Sequence, residues 1–176
     1  MEQEHLQLIA PDESLVGEFQ SFCAEFPDPQ DIHGIGSMNP KDPAGSVQLC
    51  RDNARGIGLR PGFVPSTTLW LVRDGQTLLG TIHLRHSLTP WLENEGGHIG
   101  YAVRPSQQGK GYATRMLSMC LEKARAMGLA RVLITCDREN KASARVIIKN
   151  GGVLENEVAS KIAGRAFTLR YWIALE

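Results

Sequence analysis

The residues best suited to chemistry are Gln108-Gly109-Lys110-Gly111-Tyr112-Ala113, a tight glycine turn between a strand-like run and a long amphipathic segment. A helix N-terminus offers unpaired N–H groups and about half a positive charge from the macrodipole, which favours phosphate. Gly109 and Gly111 have no Cβ, so phosphate oxygens can reach the main chain, while Lys110 and Arg104 add positive charge nearby. A diphosphate is the ligand that suits such a turn. Glycine spacing alone favours a plain loop into a helix, so the flanking elements must decide.

Two nucleotide sites are excluded by the letters themselves. No Ser or Thr follows Lys110 to hold Mg²⁺, so the turn is not a Walker A loop, and GxGxxG is absent. Cys23, Cys50, Cys120 and Cys136 are widely spaced with no CxxC pair, which argues for reduced thiols and no metal site. Proton transfer has two imidazole candidates, His98 in the strand before the turn and His86 upstream of it, because imidazole titrates near neutral pH. The competing role for both is structural, bonding loop backbone. Glu95 and Asp137 are weaker candidates for a base, or else solvated carboxylates.

The elements that must position these groups can be read from periodicity. His98-Ile99-Gly100-Tyr101-Ala102-Val103 is strand-like and is stopped by Arg104-Pro105. From Ala113, the residues Met116, Leu117, Cys120, Leu121 and Ala124 mark one apolar helical face, and Gly128 ends it. Val132 to Cys136 reads as a strand buried on both faces, and Asn140 to Lys149 as a helix stopped by Gly151-Gly152. Upstream, Leu6 to Ile9 reads as a strand, Leu15 to Cys23 as a helix, and Thr67–Arg73 with Thr77–Leu84 as a hairpin turning at Asp74-Gly75. Phe26 to Pro65 is punctuated by glycine and proline, Pro29 among them, with one helix expected around Gly45 to Ala54. The tail alternates, with Phe167, Leu169, Tyr171, Ile173 and Leu175 facing the core and Thr168 and Arg170 facing away. Leu6, Phe19, Trp70, Met116 and Trp172 are expected in the core.

The expected fold is therefore α/β, a mixed, mostly antiparallel central sheet flanked by helices, in one domain spanning residues 1–176. Lys plus Arg (19) balances Asp plus Glu (19), which removes the positive field a general nucleic-acid binder needs. No apolar run approaches the roughly 20 residues that span a bilayer. The N-terminal Met1-Glu2-Gln3-Glu4-His5 is acidic rather than basic, so the expectation is a cytoplasmic protein with no membrane or nucleic-acid partner.

Gln108 to Ala113 resembles the Arg/Gln-x-x-Gly-x-Gly/Ala signature of the GNAT (Gcn5-related N-acetyltransferase) superfamily. Asn140 to Gly152 is similar to that family's Asn-x-x-Ser helix and following Lys-x-Gly. Leu84-Arg85-His86, Gly96 to Tyr101 and Arg170 to Ile173 resemble a bacterial subgroup of predicted acetyltransferases, so the likeness runs from about Ser66 to the C-terminus.

The resemblance implies acetyl-CoA as acetyl donor, without a metal, and direct attack on the thioester by a primary amine of a small molecule or peptide. Carried over by position, backbone amides of Tyr101, Ala102 and Val103 face the pantetheine arm and polarise the thioester carbonyl. Gln108, Gly109, Lys110, Gly111, Tyr112 and Ala113 hold the pyrophosphate, and Asn140 and Ser143 contact the cofactor or order their helix, Asn140 being equally a helix cap. Many members protonate the departing thiolate with a tyrosine in that helix, where this chain has Ile147. The acid is then another group such as Tyr112, or water, or the thiolate leaves unassisted. Ile147 is also what favours an alternative, a non-catalytic acyl-CoA-binding regulatory module. The acceptor is expected against residues 26–65 and the loop from Ser87 to Gly97, and a homodimer is the favoured assembly.

Overall fold

Apolar alternation and a tight turn build the first sheet. Ser66–Arg73 (β2) and Thr77–Arg85 (β3) form a hairpin whose turn residues Asp74 and Gly75 have φ of 52° and 69°. Left-handed backbone at both positions twists in the sense that antiparallel strands require. Leu6–Ile9 (β1) adds to the free edge of β2, and Ile99–Val103 (β4) to the free edge of β3. These relations come from a computed structural model that describes residues 4–28 and 32–175. The expectations placed on Met1 to Gln3 and on Pro29 lie outside those residues.

Two layers of helix cover this sheet. On one face Val16–Ala24 (α1) and Pro43–Ala54 (α2) bury Phe19, Phe22, Val47 and Cys50 against Trp70, Val72 and Leu78. The α2 helix starts where its chemistry says it should: Asp42 accepts a hydrogen bond from Gly45 N–H, and Pro43 takes the first position. On the other face Tyr112–Ala126 (α3) packs Met116, Leu117, Cys120 and Ala124 against Leu71, Ile82 and Leu84. The loop at residues 32–38 joins the first layer through buried Ile32 and Met38.

A second sheet carries Arg131–Asp137 (β5), Val153–Ala159 (β6) and Phe167–Ala174 (β7) in the order β5-β7-β6, with Lys141–Lys149 (α4) following β5. Every ladder among the described residues is antiparallel, and no ladder joins β4 to β5. The order of elements along the chain is the one periodicity gives, with the helix expected at Gly45 beginning two residues earlier at Pro43.

The tail departs from its simple alternation. Thr168, expected to face away, is fully buried, while Phe167 and Leu169 are only half-buried, because β7 is the central strand of its sheet and its polar face is covered by the loop at 92–97. Trp172, expected in the core, is half-buried with its ring under the Arg131 guanidinium at 4.1 Å. All four cysteines are buried and unpaired. Among the described residues no helix is long and apolar enough to cross a membrane, and no group of three His, Cys, Asp or Glu could hold a metal ion.

Candidate active site

Where β4 leaves β5 the molecule opens. His98 N–H donates to Leu133 C=O at 2.7 Å, and His98 Nδ1 accepts from Leu133 N–H at 2.9 Å. Just before this point Gly97 lies so close to Leu133 that a Cβ would stand 2.6 Å from its carbonyl oxygen. Beyond it the strands diverge, and Ile99 to Val103 on one side and Thr135 to Asp137 on the other line a cavity of about 800 Å³. His98 is the pin of a wedge.

The backbone that faces into the wedge follows from the β3–β4 ladder. His98 C=O accepts from Arg85 N–H and Arg104 N–H donates to Leu79 C=O, so even-numbered residues turn towards β3. Successive residues of a strand alternate in direction. Ile99, Tyr101 and Val103 therefore present their N–H and C=O groups to the open side, while Ala102 turns its own to β3. Of the three amides expected to meet a thioester, the geometry offers those of Tyr101 and Val103.

The wedge runs on into the glycine turn. Gly109 and Gly111 have φ of 77° and 83°, and neither has a heavy atom within 4 Å of where a Cβ would stand. The α3 helix opens with no side-chain cap, so its first-turn N–H groups are available to an anion. Gln108 closes the turn by donating from Nε2 to Val103 C=O at 3.3 Å. The positive charge has another source than Lys110 and Arg104. Lys110 is exposed and bonds Gln107 Oε1, while Arg104 turns away to pair with Glu18 and Glu25 of α1 and its C-cap. Arg145 and Lys149 of α4 line the cavity instead, a placement that needs the packing of α4 beside α3.

Asn140 is a helix cap that also lines the cavity, its Oδ1 accepting from Ser143 N–H at 3.0 Å. Ser143 Oγ stands 2.9 Å from the Tyr101 hydroxyl, so β4 and α4 meet at a pair of hydroxyl groups inside the wedge. Burial pushes the Tyr101 phenol up to about 12. The nearby Cys136 thiol is pushed up to about 11, again by burial, and so stays protonated and weakly nucleophilic at neutral pH. Ile147 is fully buried and packs against Gly152, away from the cavity lining.

The three groups singled out for proton transfer do not come together here. His98 is spent on Leu133, and burial, with the Arg85 charge, lowers its imidazole to about 4. His86 Nε2 bonds Thr67 Oγ1 at 2.8 Å, and it does not line the cavity. The Tyr112 hydroxyl donates to Glu4 Oε1 at 2.6 Å, beside Arg73, so only the neighbourhood of its backbone belongs to the glycine turn. Glu95 is not solvated. It sits in a π-helical turn, Leu92–Gly96, and its carboxylate accepts from Lys161 N–H, Thr168 Oγ1 and Ser160 Oγ. Burial pushes this carboxyl up, but those hydrogen bonds and Arg165 outweigh it and hold it below the usual range. Asp137 is paired with Arg165 at 3.6 Å.

One imidazole that periodicity did not single out does face the cavity. His33 lies in the 32–38 loop, whose Gly34 C=O accepts from Thr81 Oγ1 at 2.8 Å. The only trace of it in the sequence is an imidazole beside two glycines in Ile32-His33-Gly34-Ile35-Gly36.

A family model described as an acetyltransferase (GNAT) domain matches residues 8–153. The chain belongs to the GNAT acetyltransferase family. It is an acetyl-CoA-dependent acetyltransferase, and the wedge, glycine turn and uncapped helix fit that donor. Among solved GNAT structures, RimL, a ribosomal L7/L12 alpha-N-protein acetyltransferase in complex with coenzyme A, aligns with a TM-score of 0.70 at 20% identity, over 96% of this chain and 93% of its own. MccE, a microcin C7 self-immunity acetyltransferase in complex with acetyl-CoA and AMP, aligns at 0.67 and 17%, over 98% and 93%. A spermidine N-acetyltransferase SpeG chimera from Vibrio cholerae and hSSAT aligns at 0.66 and 16%, over 97% and 95%. At such identities these GNAT neighbours establish the shared fold. No curated protein sequence matches the chain.

Proposed function

We propose that this protein moves the acetyl group of acetyl-CoA to a primary amine of a small molecule or peptide by direct attack on the thioester. The observation that carries the reading is the continuity of the cavity. It runs from the phosphate-binding turn, past the Tyr101 and Val103 amides, to a second wall made by Phe26, His33, Trp91, Ile162 and Arg165. A donor lying along the turn and wedge would have its carbonyl oxygen at those amides, where negative charge develops as the amine attacks. The second wall is then the acceptor's. Cys136, held protonated, gives no support to an acyl-enzyme route.

The Tyr101 hydroxyl takes the part that the family's α4 tyrosine plays elsewhere, protonating or hydrogen-bonding the departing thiolate, with Ser143 fixing its direction. GNAT neighbours acting on a ribosomal protein and on spermidine bracket the acceptor classes in view. Thiol release from acetyl-CoA, measured against a panel of polyamines, amino sugars, amino acids and peptides with free N-termini, tests the proposal. Release with at least one amine is expected. Tight acetyl-CoA binding by calorimetry with no release for any amine would favour the second reading, an acyl-CoA-binding regulatory module, which the burial of Ile147 in place of a tyrosine supports.

A further inference from the structure

Transfer to an amine needs a proton acceptor, because an alkylammonium has no lone pair for attack. Among the described residues, the charged and titratable groups that line the cavity are Arg85, Glu95, Asp137, Arg145, Lys149 and Arg165 together with His33, and Tyr101, Tyr112 and Cys136 complete that set. Arginine and lysine are protonated near neutral pH and cannot serve. The Glu95 carboxylate already accepts three hydrogen bonds and Asp137 pairs with Arg165. The tyrosines and Cys136 hold their protons.

His33 differs in both chemistry and placement. Imidazole changes charge between about pH 5 and 8, the range a base for this step needs. The backbone next to it is fixed against β4 at the reaction centre. A Cβ on Gly34 would stand 2.5 Å from Gly100 C=O and 2.6 Å from Tyr101 Cα, so the loop touches the strand whose Tyr101 amide faces the wedge. The Thr81 Oγ1 bond to Gly34 C=O and the buried side chains of Ile32 and Met38 hold the loop at that contact. His33 itself is exposed and lines the cavity.

We infer that His33 is the general base of the acetyl transfer, an inference that rests on the proposed reaction. The ammonium of the acceptor gives one proton to the imidazole, and the freed lone pair forms the C–N bond. The C–S electron pair leaves on sulfur, and the second proton of the attacking nitrogen ends on that sulfur, giving an amide and a free thiol. His33 then returns its proton to water.

The test compares two nucleophiles in wild-type, His33→Gln and His33→Ala enzymes. One is the primary amine of the panel that the wild type turns over fastest. The other is hydroxylamine, whose nitrogen is already unprotonated at neutral pH and needs no base. For the primary amine, kcat/KM should fall about 100-fold or more, the usual span for loss of a general base, and the acidic limb of its pH profile should flatten. Hydroxylamine turnover should stay within about twofold, and acetyl-CoA affinity by calorimetry should not change, as a general base acts on the ammonium alone. Equal losses for both nucleophiles would make His33 a structural residue, and an undiminished kcat/KM would remove it from the reaction; either overturns the inference. A wild-type enzyme that releases no thiol with any amine would overturn the acetyl-transfer reading itself, and this role with it.

Discussion

Replacing His98 by Asn should make folding much less sensitive to acid, and the size of the effect follows from its environment. In the folded chain His98 is buried, its Nδ1 accepts from Leu133 N–H, and its imidazole is lowered to about 4 from an ordinary 6.5. Adding a proton to Nδ1 would set two N–H groups against each other in a site with little water. The unfolded chain has no such conflict and binds the proton first. The folded-state value is the depressed one, so stability is fully present above about pH 6.5 and is lost as pH falls towards 4. At about 1.4 kcal/mol per pH unit of difference, His98 accounts for a loss of about 3 kcal/mol by pH 4. Asn keeps an acceptor near the Nδ1 position without titrating, whereas Leu leaves Leu133 N–H unsatisfied at a cost of about 1–3 kcal/mol at every pH. Denaturant midpoints of the three proteins between pH 7.5 and about 4.5, the range where an imidazole titrates, provide the assay. Wild type should lose stability over that range more steeply than His98→Asn, and His98→Leu should be low throughout. Parallel pH slopes for wild type and His98→Asn would refute the argument, since they would mean that His98 binds its proton as readily in the folded state as in the unfolded one.

Gly109→Asp should abolish acetyl-CoA binding by calorimetry while the fold survives, because the added carboxylate enters open space beside the uncapped helix and repels phosphate. The left-handed backbone there adds only about 1–2 kcal/mol. Gly34→Ala has the same sign of φ but meets backbone at 2.5 and 2.6 Å, so it should lose a further 1–3 kcal/mol, roughly the cost of overpacking, in a thermal or chemical melt and also lower kcat. Tyr101→Phe should lower kcat with little change in acetyl-CoA affinity; an unchanged kcat in steady-state assays would remove the hydroxyl from thiolate departure. Glu95→Gln replaces an acceptor of three hydrogen bonds by a group with one acceptor oxygen, and should cost about 1–3 kcal/mol. It should also raise KM for the amine by loosening the loop that carries Ile162 and Arg165, without altering acetyl-CoA affinity.

The glycine turn, the strand before it, the helix after it and the hairpin at Asp74-Gly75 were legible in the sequence because each rests on local physics. Period-3.6 and period-2 patterns, left-handed glycine and helix caps act within a few residues, so Asn140 and Gly111 mark their boundaries without help from elsewhere. The candidate phosphate turn was legible for the same reason, since its N–H groups come from one continuous stretch. The direction of each side chain across the sheet was not. Arg104 stands only four residues before the turn, yet it is drawn off by Glu18 and Glu25, some eighty positions away, and Arg145 and Lys149 arrive from another helix. His98, singled out as a candidate base, is bound to Leu133, while His33, which the sequence did not single out, lines the cavity. The strand carrying His98 is tied to β5 at that residue, whereas His33 reaches the cavity only because Gly34 presses its loop onto β4. Local sequence thus determined the elements and the glycine turn. Tertiary packing decided which partner each polar group met and which groups came to line the cavity, because a buried polar group takes whatever partner the fold brings to it.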